Sequence, residues 1–253
     1  MPESVLMKPR GIIFDINGTL TDIQTNEWHD EVYRVLSNLL SYQGILLDPS
    51  VVRFHYFQIM KSQRAACIDP YPEFDAIGIF REIVAQHSTD FTRGLPAEKI
   101  EQLPVILAEA HRAASRFRLQ PYPGVEETLR QLHAEYRLAI VSDGQVAYAI
   151  PELHAVGLAG YFDPILISGQ FGYRKPDERL FKAALTAMCM DPSEVLFVGN
   201  DMYRDIHGAQ RMGIKTVFFE SNQGTQKKEG VQPDYIIRSF AELLEAVRFF
   251  ECR

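Results

Sequence analysis

Gly11-Ile12-Ile13-Phe14-Asp15-Ile16-Asn17-Gly18-Thr19-Leu20 is the stretch that decides how this chain folds. Its first four residues form a short, continuous apolar run, which reads as a buried strand. An Asp at the end of such a strand, followed by Gly18 and Thr19, reads as a nucleophile presented on a tight turn. Two residues beyond Asp15, where a second carboxylate would complete an acid–base pair, the chain carries Asn17.

Outward from this stretch the character of the chain changes twice. Across residues 21–118 apolar residues recur at helical spacing, with Trp28, Val32, Val35, Leu36, Leu39 and Leu40 forming one stripe. Residues 51–60, 74–84 and 100–117 are three further expected helices, and Asp69-Pro70-Tyr71-Pro72 is a break between two of them. No strand is expected in this segment. Beyond Pro121-Tyr122-Pro123-Gly124 a helix over 125–136 leads into a strand, Leu138-Ala139-Ile140-Val141. Strands are then expected at 165–168, 195–198, 216–219 and 235–237, with helices at 179–188, 206–212 and 241–249. Residues 221–230 are polar and contain glycine, and read as a surface loop.

Short apolar strands alternating with helices predict an α/β fold, a Rossmann-like, doubly wound parallel sheet covered on both faces. The expected core is residues 1–20 with 119–253, and the expected cap is a helical insert over 21–118. Ligands of open parallel sheets bind beyond the carboxyl ends of the strands.

The composition agrees with a folded protein. Of 253 residues, 46% are hydrophobic and 23% charged, enough apolar material for a sizeable core. The formal net charge of -7 counts against a broad nucleic-acid face, though not against a small anionic ligand in a local positive pocket. Cys67, Cys189 and Cys252 are scattered, with no CxxC pair, as for thiols in a reducing compartment. The first ten residues lack the apolar core and small-residue cleavage site of a signal peptide. No run of about 18 apolar residues predicts a membrane span. A cytoplasmic protein, monomeric or homodimeric, is expected.

Four strand ends carry polar residues in order: Asp15, then Ser142-Asp143-Gly144, then Arg174-Lys175-Pro176, then Gly199-Asn200-Asp201 with Asp205 four residues on. The i, i+4 spacing puts Asp201 and Asp205 on one face of a helix, or makes them a capping pair at its start. Together these parts suit phosphoryl transfer. A carboxylate can attack phosphorus and form an acyl phosphate. A hard cation such as Mg²⁺, held by carboxylates, cancels the repulsion between that carboxylate and the phosphate. A lysine and a hydroxyl bind the remaining phosphate oxygens, and amides of the turn after Asp15 add donors. There is no Gly-rich loop followed by Lys and no GxGxxG run. The seven histidines, among them His111, show no ligand spacing and read as bystanders.

In these motifs the chain resembles the haloacid dehalogenase superfamily. Phe14-Asp15-Ile16-Asn17-Gly18-Thr19-Leu20 is similar to the family's first motif, which in its phosphatases runs Asp-x-Asp-Gly-Thr. Ser142 resembles the second motif, Lys175 the third, and Gly199-Asn200-Asp201-Met202-Tyr203-Arg204-Asp205 the acidic fourth, while the insert resembles the family's mobile helical cap. The resemblance implies Asp15 as nucleophile, with Asn17 and Lys175 beside it in the catalytic set. It implies substrate binding by Ser142, Asp143, Gly144 and Lys175. A Mg²⁺ ion would be held by Asp15, the Asn17 carbonyl, Asp201 and Asp205.

Two departures shape the functional expectation. Asn17 stands where the family's phosphatases have the carboxylate that protonates the leaving group, and an amide cannot shuttle a proton. Asn200 stands where many members have Asp. The leading expectation is a Mg²⁺-dependent phosphatase-like hydrolase of a small phosphorylated metabolite, handicapped for poor leaving groups. The alternatives are hydrolysis at carbon, as in 2-haloacid dehalogenases, with Arg53, Arg64, Arg81 or Arg93 holding a substrate carboxylate, and a phosphate-binding protein with little turnover.

Overall fold

Ile12, Ile13 and Phe14 are fully buried in the first strand, β1 (Gly11–Phe14). The computed structural model describes residues 8–252, so most of the N-terminal stretch read above for a targeting signal lies outside it. From β1 the chain leaves through β2 (Thr21–Thr25) into α1 (Asp30–Tyr42), α2 (Pro49–Ala66), α3 (Ala76–His87), the short α4 (Asp90–Arg93) and α5 (Ala97–Ser115), and returns through β3 (Arg116–Pro121). It continues as α6 (Val125–His133), β4 (Arg137–Ser142), α7 (Val146–Ala155), β5 (Ile165–Ile167), α8 (Glu178–Met188) and β6 (Val195–Gly199). A π-helical turn (Met202–His207) runs into α9 (Gly208–Arg211), followed by β7 (Lys215–Phe219), β8 (Tyr235–Ile237) and α10 (Leu243–Glu251).

Six strands form one parallel sheet in the order β5-β4-β1-β6-β7-β8. β1 lies inside it, with Phe14 opposite Ile140 on one side and Val198 on the other. Successive strand residues point to opposite faces. Ile12 and Phe14 therefore pack with Val125, Leu129, Leu153 and Leu243 of the helices on one face. Ile13 packs with Leu180, Phe181 and Ala209 on the other. Burial on both sides is why β1 reads as an unbroken apolar run rather than an alternating one.

The inserted helices have their own apolar cluster, built from Val32, Leu36, Tyr56, Ile79, Phe80 and Leu107 among others. His111 is fully buried in it, stacked on Tyr56 with ring centroids 4.3 Å apart. Burial pushes its imidazole pKa down to about 3, so it is a neutral core residue, as the bystander reading expected.

Three local expectations need correction. β2 and β3 pair antiparallel, Thr21 opposite Pro121 and Ile23 opposite Leu119, so the insert is entered and left through a strand ribbon. The last helix accordingly stops at Ser115. α7 was not expected as a helix; Pro151 lies within it. The helix expected at 206–212 begins four residues earlier, as the π-helical turn. Among the described residues no helix is long and apolar enough to cross a membrane.

Candidate active site

Asp15 continues the sheet ladder, its N–H donating to the Val198 carbonyl at 3.0 Å. This pins the residue at the carboxyl end of β1, between β4 and β6. Asp15 Oδ1 accepts from Ser142 Oγ at 3.1 Å and Lys175 Nζ at 2.7 Å, whereas Oδ2 accepts only a longer bond, 3.3 Å, from Thr19 Oγ1. One oxygen is thus held firmly and the other retains lone-pair capacity for attack on an electrophile.

Lys175 is 2% exposed. Its ammonium donates to Asp15 Oδ1 and Asp205 Oδ1, both at 2.7 Å, and to the Val141 carbonyl at 3.0 Å. Burial opposes that charge, but the pull of Asp15, Asp205 and Asp143 outweighs it and raises the lysine pKa. Asp205 Oδ2 accepts the N–H groups of Asn200 and Asp201, each at 3.0 Å. Burial pushes the Asp205 pKa up, with Lys175 pulling against it. Gly199 is required here, because a Cβ on it would lie 2.5 Å from the Asp205 Cβ.

Asp201 is used differently. Its Oδ1 caps the π-helical turn, accepting from the N–H groups of Tyr203 and Arg204 at 2.9 and 2.8 Å. Its Oδ2 accepts from Arg204 Nε and the Thr225 N–H, both at 3.0 Å. Burial would raise its pKa, but the Arg204 N–H and guanidinium and the Thr225 N–H lower it on balance. Asp143 Oδ1 accepts the Lys175 N–H at 2.8 Å, and Oδ2 lies between Arg174 Nε at 3.5 Å and Arg204 Nη1 at 3.6 Å. The Gly144 N–H donates to Ser168 Oγ at 2.9 Å.

Asp15, Asp143, Gly144 and Asp205 open onto a cavity of about 280 Å³, with Ser142, Lys175 and Asp201 behind its wall. Asp15, Asn17, Asn200, Arg204 and Asp205 line it from the sheet edge, and Glu27, Glu73, Phe74 and Arg112 from the insert. The break at Asp69-Pro70-Tyr71-Pro72 reaches the sheet edge: the Arg174 N–H donates to the Tyr71 carbonyl and the Glu73 N–H to the Gly172 carbonyl, both at 2.9 Å. Gln145 clasps the same segment, accepting from the Ala76 N–H at 3.0 Å and donating to the Phe74 carbonyl at 2.7 Å. Arg112 makes a two-pronged bond to Glu152, at 2.7 and 3.0 Å. Burial raises the pKa of both Glu27 and Glu73.

The structure thus brings Asp15, Asn17, Ser142, Asp143, Gly144, Lys175 and Asp205 together. It places Asp201 in the same loop, with both oxygens bonded to backbone N–H groups and Arg204. Among the described residues no three His, Cys, Asp or Glu side chains converge as a metal-ligating group. The hard oxygens left for a cation are the Asp15 carboxylate, the Asn200 side-chain oxygen, which shares the single Thr19 hydroxyl proton with Asp15 Oδ2 at 3.1 against 3.3 Å, and the Asn17 carbonyl. All are oxygens, which suits Mg²⁺, but they carry one formal charge between them.

Sequence reasoning missed several of the residues around the cavity. Arg112 lines it, and Arg53, Arg64, Arg81 and Arg93 do not. Gln223 and Gly224, read as surface loop, line it too. Gly224 has φ +79°, and a Cβ there would lie 2.6 Å from the Asn200 carbonyl oxygen. A glycine in a loop just beyond a strand end was the available signal. For Arg204 the available signal was its place three residues after Asp201 in the acidic motif, a spacing that favours an ion pair on a helical turn; its approach to Asp143 is set only by the fold.

Residues 9–213 match the family model described as haloacid dehalogenase-like hydrolase. The chain is 28% identical to pyrophosphatase PpaX of Halalkalibacterium halodurans over 95% of its own length and 98% of that protein. It is 34% identical to glyceraldehyde 3-phosphate phosphatase of Pyrococcus furiosus over 51% of its length, and so spans about half, 55%, of that relative. Among solved structures it resembles a 2-haloacid dehalogenase from Pseudomonas syringae pv. Tomato, with TM-score 0.67 and 20% identity over 96% of this chain and 99% of that one.

Proposed function

The chain belongs to the haloacid dehalogenase-like hydrolases, and from that premise we propose that it is a phosphatase of a small phosphorylated metabolite, with Asp15 as nucleophile. The observation that carries this reading is the asymmetry of the Asp15 carboxylate: Oδ1 is fixed by Ser142 and Lys175, while Oδ2 accepts only the longer Thr19 bond beside the cavity. Curated relatives named as phosphatases support it.

In this reading Asp15 Oδ2 attacks phosphorus, the bond to the leaving oxygen breaks, and an aspartyl phosphate forms. Water then attacks that phosphorus and releases orthophosphate and the free Asp15 carboxylate. Ser142 and Lys175 hold the attacking group in line, and Asp205 and Asp143 hold Lys175 in turn, through its ammonium and its backbone N–H. The Gly144 N–H is taken by Ser168, and those of Gly18, Thr19 and Leu20 by carbonyls of the turn, which leaves the amides of Asp143, Ile16 and Asn17 as donors for phosphate oxygens. Asp15, the Asn17 carbonyl and the Asn200 side-chain oxygen would hold Mg²⁺, with Asp201 and Asp205 shaping the loop around it rather than ligating directly. When bound, the ion would offset the negative charge gathered where carboxylate and phosphate meet.

Asn17 donates and accepts hydrogen bonds but delivers no proton. Efficient substrates are therefore those whose leaving oxygen needs none, acyl phosphates above all. A comparison of acetyl phosphate with an alkyl phosphate tests this: acetyl phosphate should be turned over faster, and equal or reversed rates would contradict it. The second reading, hydrolysis at carbon, is favoured by one observation. Asn17 and Asn200 both replace carboxylates that phosphatase chemistry uses and halide displacement does not need.

A further inference from the structure

Lysine has three N–H donors, and Asp15, Asp205 and the Val141 carbonyl take all three of Lys175. Lys175, buried behind the cavity and absent from its lining, therefore offers no free donor to a phosphate entering there. A second cation stands beside it. Arg204 lines the same cavity as Asp15 and Asn200, and the structure fixes it firmly. Asp201 caps its turn, and Asp201 Oδ2 accepts from Nε at 3.0 Å and forms an ion pair with Nη2 at the same distance. Nη1, 3.6 Å from Asp143 Oδ2, lies beyond hydrogen-bond reach of that oxygen. Of the five guanidinium donors, that of Nε is engaged in a hydrogen bond among the described residues, and those of Nη1 and Nη2 remain for a ligand.

The local charge points the same way. Around Asp15 the acidic groups are Asp15, Asp143, Asp201 and Asp205, and the basic ones Lys175, Arg174 and Arg204. That set carries one net negative charge; on the insert side the cavity is lined by Glu27 and Glu73, whose pKa values burial raises, and by the paired Arg112 and Glu152. Aspartates in place of Asn17 and Asn200 would add two more, the amount one divalent cation neutralises. With amides at both positions the site reaches that lower charge through its own side chains.

Resting on the phosphatase reading, we propose that Arg204 binds the substrate's phosphoryl group directly, and that this contact keeps phosphate bound when divalent cations are removed. A planar guanidinium suits two-pronged contact with a phosphate, and Asp201 holds it in place beforehand. Asp201 is then a positioning residue for Arg204.

Titration calorimetry with orthophosphate, in Mg²⁺ and in EDTA, tests this on the intact protein and on Arg204→Gln and Arg204→Lys, with circular dichroism reporting folding. The unaltered protein should bind in EDTA. Arg204→Gln should weaken that binding about 10- to 100-fold, the range for a hydrogen bond to a charged group. Arg204→Lys, keeping charge without the fork, should lose less. Binding in EDTA that is unchanged in Arg204→Gln, or that the unaltered protein shows in Mg²⁺ only, would overturn the Arg204 assignment and leave the phosphatase reading standing. No binding by the unaltered protein in either condition would overturn both.

Discussion

Lys175 Nζ donates to Asp15 Oδ1 across 2.7 Å, at an ammonium sealed from solvent. The same nitrogen is held equally closely by Asp205. Removing one member of such a buried set leaves the others without a counter-charge, which typically costs about 3–5 kcal/mol. Lys175→Met should therefore unfold at lower urea, by about that amount. The double variant Lys175→Met with Asp205→Asn should recover part of the loss. If Lys175→Met unfolds like the unaltered protein, the buried lysine does not hold the site together.

Asn17→Asp should restore a proton carrier. General acid–base assistance contributes about 10²–10⁴-fold when well placed. Hydrolysis of an alkyl phosphate should rise at least about tenfold toward that range, and by more than that of acetyl phosphate, whose leaving group needs no proton and which gains only in hydrolysis of the shared aspartyl phosphate. A parallel change for both substrates, or none, in steady-state assays would contradict the role given to position 17.

Glu27 holds its proton more tightly in the folded protein because burial raises its pKa, Arg112 and Arg64 opposing only in part. The stability this lends is complete below the ordinary glutamate range and is lost as the pH rises through the raised folded value. Replacing it by Gln removes that loss. The melting temperature of Glu27→Gln relative to the unaltered protein should thus increase from pH 4 to pH 8. A difference that is flat with pH would contradict the argument.

Gly224 combines a left-handed backbone with close approach to the Asn200 carbonyl. Gly224→Ala should cost about 1–2 kcal/mol from the backbone conformation alone. It should also lower turnover, because the loop must move away from Asn200. Full activity and unchanged unfolding would show that the loop yields freely.

The parts of this molecule that were legible in its sequence are those whose physics is local. β1 announced itself because Ile12, Ile13 and Phe14 are buried on both faces, and Asp15 because it ends that strand. β4, β6 and β7 followed the same rule, and with them Ser142 at the end of β4 and Asp205 in the turn that follows β6. The ribbon of β2 and β3 did not. Thr21–Thr25 and Arg116–Pro121 are largely polar, and each becomes a strand only through a partner some ninety residues away. The role of Asp201 was hidden in a similar way. Its spacing from Asp205 suggested a shared helical face, but Asp205 is claimed by Lys175, and Asp201 by Arg204 and a loop that follows β7. Arg112 entered the cavity from a helix stripe that sequence alone marks only as amphipathic.

The central claim is that Asp15 attacks phosphorus. Release of orthophosphate from acetyl phosphate, followed with Mg²⁺ for the unaltered protein and for Asp15→Asn, tests it most directly, with halide release from 2-chloropropionate measured alongside. The account predicts phosphate release that falls by about 10³-fold or more in Asp15→Asn, as expected when a nucleophile is lost, and no halide release. Phosphate release that persists in Asp15→Asn, or halide release without phosphate release, would contradict it.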